Sequence, residues 1–227
     1  MIRPGGVAAA RHVLFDFDHT LGKDNRLEER VLLELAALYC PRVPSPVEIT
    51  DALAEFRSGD ISLDEMVEDA IADWGGKRHR DAPDEYRARC LALVPASVEA
   101  TPGAKQLYDW LAERGVRHAI LTNGWTELQL SKAAAAGYPG RVMTSQEIGY
   151  WKPDARAFRH ACDALDFEIA STLYVGDSPE ADVAGSKAAG LIACWADLDG
   201  RAYPTLLPAP DHTITKLSDL PRLLEDP

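Results

Sequence analysis

The stretch VLFDFDHT, residues 13–20, decides the fold class of this 227-residue chain. It opens with three apolar residues, as expected of a central strand that is buried on both faces of a parallel sheet. Asp16 and Asp18 follow directly, and because alternate residues of an extended chain point the same way, both carboxylates project to one side. Ligands of open α/β sheets bind beyond the carboxyl ends of the strands, so this pair marks a candidate site.

Three more apolar runs further along the chain also end in polar groups. The second run ends in a hydroxyl and an amide, the third leads to a lysine, and the fourth ends in another pair of acids. Because the carboxyl ends of neighbouring parallel strands meet at one edge of a sheet, we expect these side chains to converge. The residues are Thr122, Asn123, Lys152, Asp177 and Asp182.

From residue 101 onward the sequence alternates between helical and strand patterns. Prolines predict that helices start at Pro102, at Pro153 and at Pro179, since proline is favoured in the first turn of a helix. This alternation predicts right-handed crossovers and an α/β fold, a Rossmann-like parallel sheet core with helices on both faces. The strand-like runs lie at about residues 116–121, 142–144, 172–175, 191–195 and 212–214.

The segment between the first strand and residue 98 has helical periodicity instead of strand alternation. Apolar residues recur at helical spacing from Leu27, and the sequence from Ser62 reads as a capping box. We therefore predict a small all-helical domain inserted into the α/β domain. Residues 1–21 and 98–227 are assigned to the α/β core domain and residues 22–97 to the inserted helical domain.

These motifs together resemble the haloacid dehalogenase (HAD) superfamily of hydrolases, whose four motifs have these residue types in this order. The inserted helices lie where the helical cap of that superfamily lies. The resemblance implies Mg-dependent hydrolysis of a phosphate monoester through an aspartyl-phosphate. Asp16 would be the nucleophile, and Asp18 would donate a proton to the leaving oxygen and later accept one from water. For the first of these tasks we expect the surroundings to weaken the acidity of Asp18.

A cation is expected between Asp16 and Asp177, because two carboxylates that face each other across strand ends repel. Mg²⁺ suits such a place, since it takes oxygen ligands and commonly binds one or two carboxylates together with a substrate phosphate. The resemblance implies Mg²⁺ ligands from Asp16, the backbone carbonyl of Asp18 and Asp177. Asp182 would support these ligands without binding the metal itself.

The transferring phosphoryl group also needs positive charge and hydrogen-bond donors. The resemblance assigns this task to Lys152, the Thr122 hydroxyl and the Asn123 amide, and it leaves the role of His19 open. The inserted helices would set the substrate range. Candidates there are Phe56, Trp74, Arg78 and Tyr86.

Asp18 separates the possible reactions. Dehalogenases and phosphonatases of this superfamily typically lack the second acid, whereas a phosphomutase keeps it and stays an alternative. A non-catalytic HAD-like protein also stays open. A phospho-receiver signalling domain fits less well, because it has about half this length and carries its phosphorylated aspartate at a later strand end.

Composition limits the partners. A net charge of −12 disfavours nucleic acid, since binding to a phosphate backbone depends on Lys and Arg. No apolar run is long enough to span a membrane, and the run at residues 7–10 is too short for the core of a signal peptide. We therefore expect a cytoplasmic enzyme that acts on a small phosphorylated metabolite, with neither nucleic acid nor membrane as a partner; its oligomeric state stays open.

Overall fold

The computed structural model describes residues 10–225. Its strands are, along the chain, β1 (His12–Phe15), β2 (Gly22–Lys23), β3 (Glu99–Ala100), β4 (Arg117–Thr122), β5 (Arg141–Thr144), β6 (Thr172–Gly176), β7 (Ile192–Ala196) and β8 (His212–Ile214). Six of them form one parallel sheet in the order β5-β4-β1-β6-β7-β8, whereas β2 and β3 form a separate antiparallel pair. The prediction of a Rossmann-like parallel sheet is confirmed.

β1 lies at the centre of the sheet, and its register brings the site together. Phe15 lies opposite Ile120 of β4 on one side and Val175 of β6 on the other. The chain first extends the sheet to the β4 side and then returns to extend it on the β6 side. In open α/β sheets, ligands bind where the strand order reverses in this way. The residues that follow β1, β4 and β6 therefore share one crevice.

Four helices lie between β2 and β3: α1 (Leu27–Tyr39), α2 (Pro46–Ser58), α3 (Leu63–Asp73) and α4 (Ala82–Ser97). Ser45 and Ser62 each form a complete capping box before α2 and α3. The remaining helices surround the sheet. They are α5 (Ala104–Glu113), α6 (Thr126–Ala135), α7 (Ser145–Ile148), α8 (Ala155–Leu165), α9 (Gly185–Ala189) and α10 (Leu220–Glu225).

Of the three helix starts predicted at prolines, the start at Pro179 is confirmed, whereas the helices after Pro102 and Pro153 begin slightly later. α5 begins at Ala104, because Gly103 before it has a left-handed backbone with φ of 87°. α8 begins at Ala155, because the Asp154 side chain accepts a hydrogen bond from the Arg156 amide and so forms the cap after Pro153. The segment Pro179–Ala184 is wound as a π-helix before α9, a form that is frequent at functional sites.

Buried apolar side chains cover both faces of the sheet. One continuous cluster joins Val13 and Phe15 of β1 to Leu32 and Ile71 of the inserted helices, and α4 packs against α6. A second cluster, which includes Leu14, fills the opposite face. The division into two domains stays a prediction, and its terminal residues 1–9 and 226–227 lie outside the described residues.

The structure bears on one of the two sequence arguments about membranes and largely leaves out the residues of the other. None of the described helices combines the length and the apolar character that crossing a membrane requires. The short apolar run at residues 7–10, which bore on the expected location, falls outside the described residues except for Ala10.

Candidate active site

The polar residues at the strand ends line one cavity of about 600 Å³. Their elements explain this convergence, because β1, β4 and β6 are neighbours and end at the same edge of the sheet. The loop after α7 adds the lysine, and the π-helical turn after β6 adds the last acid. The structure thus brings together every residue that the sequence selected for the site: Asp16, Asp18, Thr122, Asn123, Lys152, Asp177 and Asp182.

Lys152 forms hydrogen bonds to three side chains of the site. Its buried ammonium donates to Asp16 Oδ1 at 2.6 Å, to Asp182 Oδ1 at 2.7 Å and to the Tyr174 hydroxyl at 2.8 Å. Burial alone would lower the pKa of Lys152, but the two carboxylates raise it, so the side chain stays charged. Tyr174 in turn donates to the Leu121 carbonyl at 2.9 Å. The sequence did not single out Tyr174, because an aromatic residue inside a buried strand reads as core.

Asp16 is buried among more negative charge than Lys152 can balance. Burial is the largest cause that raises its pKa, Lys152 opposes it, and Asp182 and Asp177 add to it, so that the pKa of Asp16 lies at about 8. A carboxyl group with this pKa is largely protonated at neutral pH and is then a poor nucleophile. The site therefore calls for a further cation.

Three carboxylates form the place where a cation fits. One oxygen each of Asp16, Asp177 and Asp182 lies within 4.8 Å of the others. Gly176 permits this approach, since a Cβ there would lie 2.4 Å from Asp182 Cγ. An all-oxygen, all-carboxylate donor set suits a hard divalent ion such as Mg²⁺. The structure thus places Asp182 in the same carboxylate cluster as Asp177, whereas the sequence predicted a supporting role for it.

Asp177 has a second environment on its outer side. Arg201 donates to its Oδ2 at 3.0 Å and to its carbonyl at 2.8 Å, and the Trp195 indole N–H donates to the same carbonyl at 3.0 Å. Burial and Asp182 raise the pKa of Asp177, while Arg201 lowers it. Arg201 was missed because it lies in the loop after β7, outside any recognisable motif.

The pKa of Asp18 is shifted in the opposite direction to the one expected from the sequence, which was a weakened acid. The buried Lys132 of α6 contacts its Oδ1 at 2.5 Å, and Gln129 donates to its Oδ2 at 3.3 Å. Burial would raise the pKa of Asp18, but Lys132 and, further off, Arg57 lower it below the usual value. Without a bound substrate, the structure therefore holds Asp18 as a carboxylate.

Asn123 fixes the segment that carries Lys152. Its Oδ1 accepts from the Lys152 amide at 2.9 Å, and its Nδ2 donates to the Lys152 carbonyl at 2.9 Å and to the Arg57 carbonyl at 3.4 Å. The side-chain amide thus positions the lysine, a role that the sequence did not indicate. Thr122, buried at the end of β4, lines the cavity next to it.

The inserted helices face the cavity through α2, and the sequence-based candidates for this face were wrong. Trp74 and Tyr86 are buried between helices, Arg78 pairs with Glu68 and Asp69, and Phe56 packs against the Trp151 ring at 5.3 Å. Among the described residues, the inserted helices instead line the cavity with Thr50, Ala54, Arg57 and Ser58.

The comparisons with known proteins agree with this geometry. The family model of haloacid dehalogenase-like hydrolases matches residues 10–190. N-acylneuraminate-9-phosphatase of Mus musculus is 33% identical, over 97% of this chain and 96% of its own length. The chain belongs to the haloacid dehalogenase-like hydrolases.

Two further proteins that resemble this chain show the breadth of the family. Phosphoserine phosphatase of Thermus thermophilus is 38% identical over 57% of this chain and 58% of its own length. The structure of the HAD-hydrolase YfnB from Bacillus subtilis, bound to magnesium, has a TM-score of 0.71 at 22% identity and covers 95% of this chain and 99% of its own. The predictions of a HAD-superfamily fold and of an enzyme of the phosphatase type are confirmed.

Proposed function

We propose that this chain hydrolyses a small phosphate monoester with the help of Mg²⁺, through an aspartyl-phosphate on Asp16. The observation that carries the proposal is the meeting of Asp16, Asp177 and Asp182 within 4.8 Å, with Lys152 2.6 Å from Asp16. Phosphate hydrolysis needs a nucleophile next to cations that neutralise the phosphoryl oxygens, and this arrangement supplies both.

In the first step, Asp16 attacks phosphorus, and the bond from phosphorus to the alcohol oxygen breaks. The negative charge of a bound phosphate ester raises the pKa of Asp18, so Asp18 takes up a proton when the substrate binds. Asp18 then donates this proton to the leaving oxygen when the alcohol is a poor leaving group. In the second step, Asp18 takes a proton from water, which attacks the aspartyl-phosphate and releases phosphate. Asp16 is thereby regenerated as a carboxylate.

Lys152 and Thr122 hold the phosphoryl oxygens during both steps. Bound between the carboxylates, Mg²⁺ supplies the positive charge that lowers the pKa of Asp16 and attracts the phosphate. Asp16 and Asp177 are the proposed ligands, together with the Asp18 carbonyl. Asp182 stays a proposed support, since Lys152 and the Ser178 amide already bind its two oxygens.

The substrate class is proposed as a small phosphorylated metabolite. The two relatives described above are named for phosphoserine and for N-acylneuraminate 9-phosphate. A cavity of about 600 Å³ exceeds the needs of phosphate alone and lies within the usual range for small-molecule sites. Cytoplasmic action stays part of the proposal.

The test is phosphate release from p-nitrophenyl phosphate and from a panel of natural esters, with and without Mg²⁺. We expect turnover with Mg²⁺ and, after acid quenching with labelled substrate, label on Asp16. The phosphomutase alternative would instead show label passing to a second sugar phosphate faster than to water. A protein that releases no phosphate from any ester would contradict the proposal.

A further inference from the structure

One face of α2 lines the same cavity as the carboxylates. Thr50, Ala54, Arg57 and Ser58 line it, and their spacing places them on one side of the helix. Thr50 and Ala54 are small and leave space in front of them. Arg57 is the one charged residue of this face.

Arg57 is held in place from behind. One of its terminal nitrogens donates to Glu28 Oε2 at 2.8 Å, and the Tyr86 hydroxyl donates to Glu28 Oε1 at 3.2 Å. Glu28 is buried, whereas the Arg57 side chain is 51% exposed. A guanidinium group has five N–H donors, and among residues 10–225 Glu28 is the acceptor that its side chain reaches. Donors therefore remain for a ligand in the cavity.

The two lysines at the site, unlike Arg57, already form ion pairs with carboxylates that belong to the site itself. Lys152 is enclosed by Asp16 and Asp182, and Lys132 by Asp18 and Asp24. Within the described part of the cavity lining, Arg57 is thus the permanent cation that can pair with a group of the substrate other than the transferring phosphate.

The position of Arg57 indicates which part of the substrate it meets. Arg57 and Asp18 line the same cavity and carry opposite charges. Asp18 faces the leaving oxygen in the proposed reaction, so the alcohol portion of the substrate lies between these two side chains. We infer that this alcohol portion carries an anionic group, a carboxylate or a second phosphate, which Arg57 binds through its free N–H donors. The inference rests on the proposed function.

The experiment compares matched pairs of esters. Phosphoglycolate is paired with hydroxyethyl phosphate to test a carboxylate, and glycerol bisphosphate with glycerol phosphate to test a second phosphate. Wild type should favour the anionic member of at least one pair, and the pair it favours identifies the group. Arg57→Met should lower kcat/KM for that member by about 10- to 100-fold, the usual effect of losing a charged hydrogen bond, and for its neutral partner by less than about 3-fold.

Two further variants control the result. Arg57→Lys should restore part of the preference, and Arg78→Met, which removes a cap arginine outside the cavity lining, should change neither ester. Because Arg57→Met leaves Glu28 buried without its partner, the double variant Glu28→Gln with Arg57→Met serves if the single one does not fold.

Equal losses on both members of each pair, or no preference in wild type, would overturn the inference while leaving phosphatase activity established. A protein that hydrolyses no ester at all, p-nitrophenyl phosphate included, would overturn the proposed function and this inference together.

Discussion

Lys132 of α6 and Asp18 form an ion pair in which Nζ and Oδ1 are 2.5 Å apart, and the same ammonium lies 2.8 Å from Asp24 Oδ2. Lys132 is fully buried, and its charge is balanced mainly by these two carboxylates, with Glu28 adding to their effect. Asp24 lies just before α1, where the chain enters the inserted helices. One lysine thus connects the proposed acid and base to the start of the insertion.

Replacing Lys132 should change the pH dependence of turnover. With p-nitrophenyl phosphate the leaving group departs without a proton, so Asp18 acts only as a base and must be ionised. Lys132→Met removes the main group that lowers the pKa of Asp18, and we expect the acid limb of kcat to move to higher pH. Lys105→Met, at an exposed pair with Asp109, is the matched control. Coincident acid limbs in Lys132→Met and wild type would exclude this role.

Asp16→Asn should lower the turnover rate by several orders of magnitude, because the carboxylate that forms the covalent intermediate is lost. Circular dichroism should show an intact fold. Retention of even a tenth of wild-type activity would mean that another residue is the nucleophile.

The same substitution should flatten the dependence of stability on pH in the metal-free protein. Burial raises the pKa of Asp16 from 3.8 to about 8, so the folded state holds a proton that the unfolded chain releases. Stability contributed by this group is therefore lost as pH rises between these values. Thermal unfolding in EDTA should show a decline of Tm over this range in wild type that is smaller in Asp16→Asn. An equal decline in both proteins would contradict the assigned environment of Asp16.

Mg²⁺ should restore both activity and stability. A ligand that binds only the folded state at 100 times its Kd stabilises by about 2.7 kcal/mol, which thermal unfolding detects readily. Ca²⁺, which is larger and less demanding in geometry, should support activity poorly.

Asp177→Ala should weaken Mg²⁺ binding more than Asp182→Ala, because Lys152 and the Ser178 amide already occupy the Asp182 oxygens. Full activity in excess EDTA, or equal effects of the two variants, would refute these assignments.

Gly59→Ala tests the contact between α2 and the loop before Lys152. A Cβ at Gly59 would lie 2.4 Å from Trp151 Cδ1, and its φ of 85° disfavours any other residue. We expect a cost of about 1–2 kcal/mol from the backbone and about 1–3 kcal/mol from overpacking. KM should also rise, because Arg57 and Lys152 flank this contact. Gly137→Ala, at φ of 72° with open space around it, should show only the backbone cost and an unchanged KM. If both variants lose the same stability, the contact with Trp151 contributes nothing.

The positions of the strands along the chain and the residues at their ends could be predicted from the sequence, because buried parallel strands and the groups that follow them leave a local pattern. Lys132 could not, since a lysine in a helix reads as exposed until the packing of α4 on α6 is known. Arg57 in the last turn of α2 reads as a favourable charge at a helix end. Phe56 was chosen instead of its neighbour Arg57, because the sequence does not show which side of α2 turns toward the sheet.

The apolar cluster that runs from β1 into the inserted helices has a consequence for how the molecule comes apart. Because Phe15 and Leu32 belong to one continuous core, neither the sheet nor the insertion can expose its side of the cluster without exposing the other. Heat or denaturant should then melt the chain in a single cooperative transition instead of two. If the insertion were exchanged for that of a relative, the side chains of the sheet that pack against it would have to be exchanged as well.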